Sequence, residues 1–101
     1  MRETETDFET WLVDLAKLLG WMAYHTRDSR RSNEGFPDWV LAKPGRVIFA
    51  ELKSEEGKLT VEQGQWLALL ETSTERYFSG SPVEAYVWRP SDRDRIMEVL
   101  T

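Results

Sequence analysis

Two stretches decide the fold that this sequence predicts: Gly35-Phe-Pro-Asp-Trp-Val-Leu41 and Phe49-Ala-Glu-Leu-Lys53. Period-two alternation along the second stretch places Glu51 and Lys53 on the same face of one strand. The apolar neighbours on that strand point to the opposite face: Ile48, Ala50 and Leu52. A strand that buries one side and carries an acid and an amine on the other is typical of a metal site, where carboxylates hold Mg²⁺ or Mn²⁺.

Before these strands, the chain begins with a helix and an aromatic strand. Apolar residues at helical spacing predict an amphipathic helix over residues 5–19, which Gly20 ends. Residues 21–26 are rich in aromatic side chains and predict a strand. Residues 27–34 contain no apolar side chain and predict a basic loop that leads into Gly35.

The two deciding stretches predict a hairpin. Strands are expected over residues 38–43 and 47–53, and Pro44-Gly45 between them is a turn signal that indicates antiparallel pairing. Three elements follow: a helix that begins at Thr60, a strand over residues 84–88 and a short last helix capped by Ser91. The sequence therefore predicts an α/β fold of order αβββαβα.

Length and composition fit a single domain over residues 1–101. An apolar fraction of 41%, with five Trp, three Tyr and four Phe, is enough for a compact core. The absence of cysteine excludes disulfides and thiolate metal sites, and it suits a reducing compartment. With no apolar run of membrane-spanning length and an acidic N-terminus unlike a signal peptide, we expect a soluble cytoplasmic protein.

The net charge of −5 is distributed unevenly along the chain. Residues 1–20 and 59–101 are acidic, whereas residues 21–58 carry seven basic and six acidic side chains. Two of those six acids are Asp38 and Glu51, so a divalent cation bound between them would leave a positive surface on an acidic body. The overall sign therefore does not exclude a nucleic acid substrate.

Pro37-Asp38 followed by Glu51-Leu52-Lys53 resembles the core motif of the PD-(D/E)XK nucleases. With Gly35 before the motif and Gln63 opening the next helix, the chain resembles the VRR-NUC family (virus-type replication–repair nuclease) over nearly its whole length. The resemblance implies a PD-(D/E)XK nuclease-like mixed β-sheet flanked by helices. It also implies a divalent-metal-dependent endonuclease that acts on DNA.

The chemistry of phosphodiester hydrolysis suits these residue types. Asp38 and Glu51 would hold Mg²⁺ or Mn²⁺, and the resemblance adds the backbone carbonyl of Leu52 as a further metal ligand. Lys53, beside the attacking water, would orient or deprotonate it and donate to the phosphate. Each residue alone has a simpler explanation: a turn aspartate, a solvent-facing strand end and a surface lysine. As a set, they favour the metal site.

Gln63 has a structural explanation beside the catalytic one. Thr60-Val-Glu-Gln63 is a capping box, with Thr60 at the N-cap of the helix and Gln63 at its third position. A helix N-terminus also attracts phosphate, and a glutamine in its first turn can face the phosphate. The family resemblance favours a catalytic role for Gln63.

A further catalytic acid is expected from the first helix. The resemblance points to Glu5, which lies nearer than Glu9 to the apolar stripe on the helical wheel. In the simpler interpretation, Glu5 only complements the helix dipole. Glu9 has its own alternative, a capping box with Thr6.

The loop before the Pro-Asp motif holds three arginines: Arg27, Arg30 and Arg31. A charge run of this kind is usually only solvated. Because it precedes the proposed metal site directly, and because arginine binds phosphate bidentately, we expect these side chains to contact the DNA backbone.

Small stand-alone members of the family resemble dimeric Holliday-junction resolvases, which implies a homodimer acting on four-way or other branched DNA. Two-fold symmetry would place two active sites on the paired strands of a junction. Two alternatives stay open on the sequence: a monomeric nicking or flap nuclease, and a catalytically silent DNA-binding module. The intact set of Asp38, Glu51 and Lys53 speaks against the silent module.

Overall fold

The computed structural model describes residues 4–26, 33–77 and 83–101, and in the second range it describes side chains as far as Glu71. The elements follow one another as α1 (Glu5–Leu18), β1 (Met22–His25), β2 (Trp39–Lys43), β3 (Arg46–Leu52), α2 (Val61–Tyr77), β4 (Val83–Trp88) and α3 (Arg93–Leu100). A 3₁₀ turn at Pro90–Asp92 precedes α3. The predicted order αβββαβα is therefore confirmed.

The four strands form one mixed sheet in the order β1-β2-β3-β4. The first three strands are antiparallel neighbours, whereas β3 and β4 are parallel. The β2–β3 hairpin turns at Pro44-Gly45, where Gly45 has a φ of 84° that L-residues rarely adopt. The parallel pair needs a crossover connection, and α2 provides it.

Helix α1 begins at a capping box formed by Thr4 and Asp7, two residues before the box that the sequence offered between Thr6 and Glu9. Thr4 Oγ1 accepts from Asp7 N at 3.0 Å, and Asp7 Oδ2 accepts from Thr4 N at 3.2 Å. The alternative box between Thr6 and Glu9 is therefore wrong. The helix ends before Gly20, whose φ is 91°.

One face of the sheet packs on α1 and α3 and forms the main core. The buried residues of this cluster are Phe8, Leu12, Ala16, Trp21, Trp39, Leu41, Ile48, Ala50, Leu52, Trp88, Ile96 and Leu100. The alternation predicted for β3 is confirmed, because Ile48, Ala50 and Leu52 are essentially inaccessible to solvent. The opposite face of the sheet carries Phe49, whose ring meets that of Phe36 edge-on, and Phe36 in turn meets Trp66 of α2.

A charged network ties β3, β4 and α3 together at the far end of the sheet. Arg46 donates from Nε and Nη2 to the carboxylate of Glu84, both at 2.8 Å, and from Nη1 to the carbonyl of Val99 at 2.8 Å. Burial alone would raise the pKa of Glu84. The hydrogen bonds from Arg46 and Tyr86, with the charge of Arg46, outweigh burial and hold that pKa below its ordinary value.

The last helix begins differently from the prediction. Ser91 lies inside the 3₁₀ turn, and Asp92 occupies the N-cap position of α3. Asp92 Oδ2 accepts from Arg89 N at 2.9 Å, so its side chain closes the 3₁₀ turn instead of capping the helix. None of the helices in the described parts of the chain combines the length and apolar composition that a membrane span needs.

Candidate active site

Asp38 and Glu51 stand side by side at the open end of the β2–β3 hairpin. The register pairs Trp39 with Ala50, so the next residues outward on the two strands are Asp38 and Glu51. Because successive side chains alternate between faces, both acids point away from the main core, toward the face that α2 covers. The juxtaposition that the sequence implied is therefore a consequence of hairpin register.

Asp38 is held by contacts to its backbone and to its carboxylate. Thr26 donates from its backbone N to Asp38 O at 2.8 Å and from Oγ1 to the carbonyl of the buried Pro37 at 3.1 Å. Asp38 Oδ2 accepts from Leu52 N at 3.2 Å. The carboxylate is thus fixed against β3, one residue from Glu51.

Gly35 explains how the loop that carries Asp38 can lie against α2. Its φ is 88°, and a Cβ at this position would lie 2.4 Å from the carbonyl carbon of Glu62. Only glycine allows the loop backbone to approach the first turn of α2 this closely. The approach brings the Asp38 loop and Gln63 to the same side of the site.

Glu51 is the single buried charged residue among the described side chains, with only 2% of its surface exposed. Oε2 accepts from Gln63 Nε2 at 3.1 Å and lies 3.8 Å from Lys53 Nζ. Within the described residues, Oε1 is buried without a hydrogen-bond partner. The solvent-facing alternative for Glu51 is therefore wrong.

The electrostatics of Glu51 follow from this burial. Loss of solvent contributes most, followed by the negative charge of Asp38, and together they raise the pKa of Glu51 to about 8. The positive charge of Lys53 works in the opposite direction. Two carboxyl groups this close cannot both ionise at low cost without a neighbouring cation.

Gln63 performs the structural task and contacts the site at the same time. Its Oε1 accepts from Thr60 N at 2.9 Å, and its backbone N donates to Thr60 Oγ1 at 3.1 Å, so the predicted capping box is present. Its remaining polar group, Nε2, donates to Glu51. The two interpretations of Gln63 are therefore compatible in one side-chain conformation.

The family assignment agrees with this arrangement of residues. The family model of the VRR-NUC domain matches residues 7–89. The chain belongs to the VRR-NUC family. Membership makes the protein a nuclease of the PD-(D/E)XK type, with DNA as its substrate. No curated protein and no solved structure matches the chain significantly.

VRR-NUC nucleases generally depend on divalent metal ions, and the acid pair fits such an ion. Asp38 and Glu51 offer hard carboxylate oxygens, which Mg²⁺ and Mn²⁺ prefer. The unpartnered Oε1 of Glu51 is a buried acceptor that a cation would satisfy. Burial first and the negative charge of Asp38 second raise the pKa of Glu51, and a bound cation would oppose both effects.

Lys53 lies just after β3 in a loop that the end of β4 holds in place. Its backbone N donates to Trp88 O at 3.0 Å, and 18% of its side chain is exposed. Arg89 Nη1 donates to the carbonyls of Ser54 and Gly57, both at 2.6 Å. No local sequence pattern marks Arg89, because a lone arginine after a strand carries no signal of such contacts.

The other residues predicted for this VRR-NUC site either lie apart from the acid pair or fall outside the residues that the structure describes. Glu5 is exposed in the first turn of α1. Within the described residues, no group of three or more acids or histidines could hold a metal, so neither Glu5 nor Glu9 joins Asp38 and Glu51. The three predicted phosphate-binding residues lie outside the described residues: Arg27, Arg30 and Arg31.

Proposed function

We propose that this VRR-NUC protein is a divalent-metal-dependent endonuclease that cleaves structured DNA, with the four-way (Holliday) junction as its preferred substrate. The observation that carries the proposal is the pairing of the half-buried Asp38 with the buried Glu51, in which one oxygen of Glu51 has no partner among the described residues. A silent DNA-binding module would have no use for a buried carboxyl group beside a second acid in this position. Burying a carboxyl group beside another acid costs stability, and a catalytic cation would account for that cost.

In this proposal, Asp38, Glu51 and the backbone carbonyl of Leu52 hold Mg²⁺ or Mn²⁺. When bound, the ion activates water and neutralises charge that develops on the phosphate. Gln63 orients Glu51 by holding Oε2, which leaves Oε1 directed to the site. The contact between Leu52 N and Asp38 orients the second carboxylate in the same way.

Lys53 is proposed to act on the attacking water and the phosphate. Its ammonium group lies near Glu51 and is partly accessible, so it can orient water and donate to a phosphate oxygen. In the reaction, the water oxygen bonds to phosphorus as the bond to the 3′ oxygen breaks. The departing 3′ oxygen takes up a proton, which leaves a 3′-hydroxyl and a 5′-phosphate.

The remaining parts of the proposal concern binding and assembly. Arg27, Arg30 and Arg31 are proposed to contact the phosphate backbone. A homodimer would present two acid pairs related by two-fold symmetry, which suits the symmetry of a four-way junction. Light scattering of the purified protein, with and without junction DNA, measures this stoichiometry.

The decisive experiment is a cleavage assay with end-labelled four-way junction, flap, duplex and single-stranded DNA, in Mg²⁺ or Mn²⁺ and in EDTA. We expect metal-dependent cleavage that is fastest on the junction and is lost in the Asp38→Asn variant. Preference for the flap by a monomeric protein would replace the junction assignment with that of a flap nuclease. Tight DNA binding without cleavage in either metal would overturn the proposal in favour of a silent binding module.

A further inference from the structure

An aromatic cleft lies on the face of the sheet that carries the acid pair. It has a volume of about 280 Å³ and is lined by Tyr24, Thr26, Asn33, Phe36 and Trp66. These residues come from three segments of the chain: the end of β1, the loop before Asp38, and α2. The cleft is close in size to the lower end of the range for small-molecule sites, which is roughly 300–1,000 Å³.

Packed aromatic rings close one side of the cleft, whereas the side formed by Tyr24 is open to solvent. The rings of Phe36 and Trp66 meet edge-on, with centroids 5.1 Å apart, and Phe49 braces Phe36 from the sheet at 5.9 Å. Tyr24 is different, because 66% of its surface is exposed although it belongs to a strand. The core does not use the ring of Tyr24, so this ring is available to a ligand.

The cleft is continuous with the candidate active site through two of its residues. Thr26, which lines the cleft, also donates to the backbone of Asp38. Phe36 stands two residues before Asp38 in the same loop. A group bound in the cleft would therefore belong to a nucleotide close to the phosphate that the acid pair acts on.

We infer that this cleft binds a nucleobase that is unstacked at a branch point of the DNA substrate and so selects branched DNA over continuous duplex. The inference rests on the proposed endonuclease function and narrows its substrate class. Aromatic side chains stack on bases without sequence preference, whereas a base within a continuous duplex is already stacked and cannot enter. Asn33, exposed at the edge of the cleft, adds amide groups that can bond to a base edge.

A second cavity shows why location matters more than size. It is larger, about 390 Å³, and Tyr24 borders it as well as the cleft; its other lining residues are Val13, Lys17, Ala23, His25 and Trp39. Trp39 belongs to the main core on the α1 side of the sheet, and its side chain points away from the acid pair. Neither Thr26 nor Phe36, which connect the cleft to the Asp38 loop, lines this second cavity.

The test compares binding of two DNAs that differ by a base. Both are hairpin duplexes with a short single-stranded flap; one carries 2-aminopurine at the flap nucleotide beside the duplex, and the other carries an abasic unit there. Binding is measured by fluorescence anisotropy in EDTA, so that no cleavage occurs. The protein variants are wild type, Tyr24→Ala, Tyr24→Phe and Met22→Ala. Met22 is the matched control, because it lies on the same strand face and is 80% exposed, but does not line the cleft.

We expect removal of the base to weaken binding by wild type about five- to 100-fold, the range of base stacking on aromatic rings. Tyr24→Ala should weaken binding of the base-containing DNA by about fivefold and leave binding of the abasic DNA unchanged. Tyr24→Phe and Met22→Ala should behave as wild type, and 2-aminopurine fluorescence should fall on binding wherever the base stacks. Equal effects of Tyr24→Ala on both DNAs, or no effect on either, would overturn the inference.

Cleavage measured separately in Mg²⁺ or Mn²⁺ distinguishes this inference from the proposed function. Base-dependent binding without cleavage would leave the cleft assignment standing and overturn the endonuclease. If cleavage depends on metal but its rate depends neither on the base nor on Tyr24, the endonuclease would stand and the cleft assignment would be overturned. Because Tyr24 is mostly exposed, the melting temperature of Tyr24→Ala should stay near that of wild type, which verifies that the variant is folded.

Discussion

Gln63 donates its side-chain amide to Glu51 Oε2 at 3.1 Å while the same side chain accepts from the N-cap backbone of its own helix. One residue thereby fixes the beginning of α2 and one oxygen of the buried acid. The two contacts use different atoms of the amide, so substitutions can remove one and keep the other.

Gln63→Glu should separate these two contacts. A carboxylate still accepts from Thr60 N and suits the N-terminus of a helix, so the melting temperature should stay near that of wild type. The new negative charge would face Glu51 where an N–H now donates, so cleavage should fall well below the wild-type rate. Thr60→Ala is the matched control, because it should cost about 0.5–2 kcal/mol of stability while cleavage by the folded protein is retained. Unchanged cleavage by Gln63→Glu would leave only the capping role.

Asp38→Asn and Glu51→Gln should each lower the cleavage rate by about 100-fold or more, since each removes a proposed metal ligand. Both substitutions keep the size of the side chain and relieve carboxylate repulsion, so thermal stability in EDTA should be equal to wild type or higher. Isothermal titration with Mn²⁺ should show weakened metal binding by both variants. Cleavage near the wild-type rate by either variant would refute the site assignment.

Gly35→Ala should destabilise the protein more than Gly45→Ala. Both glycines have a positive φ, and a side chain there costs about 1–3 kcal/mol in strain. A Cβ at Gly45 would meet nothing within 4 Å, whereas one at Gly35 would collide with the backbone of Glu62. The free energies of unfolding of the two variants, measured in urea, share the cost of the positive φ. Their difference therefore gives the cost of disturbing the close approach of the loop to α2. Equal losses would show that this approach is not required.

Glu84→Gln should remove a stability contribution that depends on pH. The pKa of Glu84 is lower in the folded state than its ordinary value of 4.5, so its contribution is fully present above about that pH. As the pH falls through the folded-state pKa, the contribution disappears. At neutral pH we expect a loss of about 2 kcal/mol, the scale of a hydrogen bond to a charged group. The difference between wild type and variant should shrink in denaturation curves below pH 4.5, and a constant difference would contradict the assignment.

Replacement of Arg27, Arg30 and Arg31 by alanine should weaken DNA binding without changing which DNA structure is preferred. Each lost phosphate contact should flatten the dependence of log affinity on log salt concentration by about 0.9. Titrations at several salt concentrations measure this slope, and light scattering supplies the stoichiometry. An unchanged affinity and slope would mean that the loop is only a solvated connector.

The sequence contained most of the information for the acid pair and little for its surroundings. Alternation along β3 and the Pro44-Gly45 turn fixed the faces and the hairpin, and the hairpin register brings Asp38 to Glu51. The capping box of Thr60 and Gln63 likewise depends only on residues within one turn of the helix. These predictions succeeded because each depends on residues within a few positions or on one short turn.

The contacts that the sequence did not reveal are those between distant segments. Thr26, just after β1, holds Pro37 and Asp38, and Arg89 reaches the loop after β3 from the end of β4. Neither residue type is unusual at its position, so no local pattern marks it. Ser91 failed as a predicted cap because the chain first forms the 3₁₀ turn at Pro90–Asp92, so that Asp92 and not Ser91 precedes α3.

The hairpin register also has a consequence for the order in which the site assembles during folding. Asp38 and Glu51 are joined by a short stretch of chain, so closing their strands costs little loop entropy and can occur early. The parallel pairing of β3 with β4 closes a longer stretch of chain, because α2 forms the crossover connection that joins the two strands. We therefore expect the two carboxyl groups to come together before Gln63 can hold Glu51, and we expect a divalent cation at the proposed metal site to accelerate the formation of the hairpin during refolding.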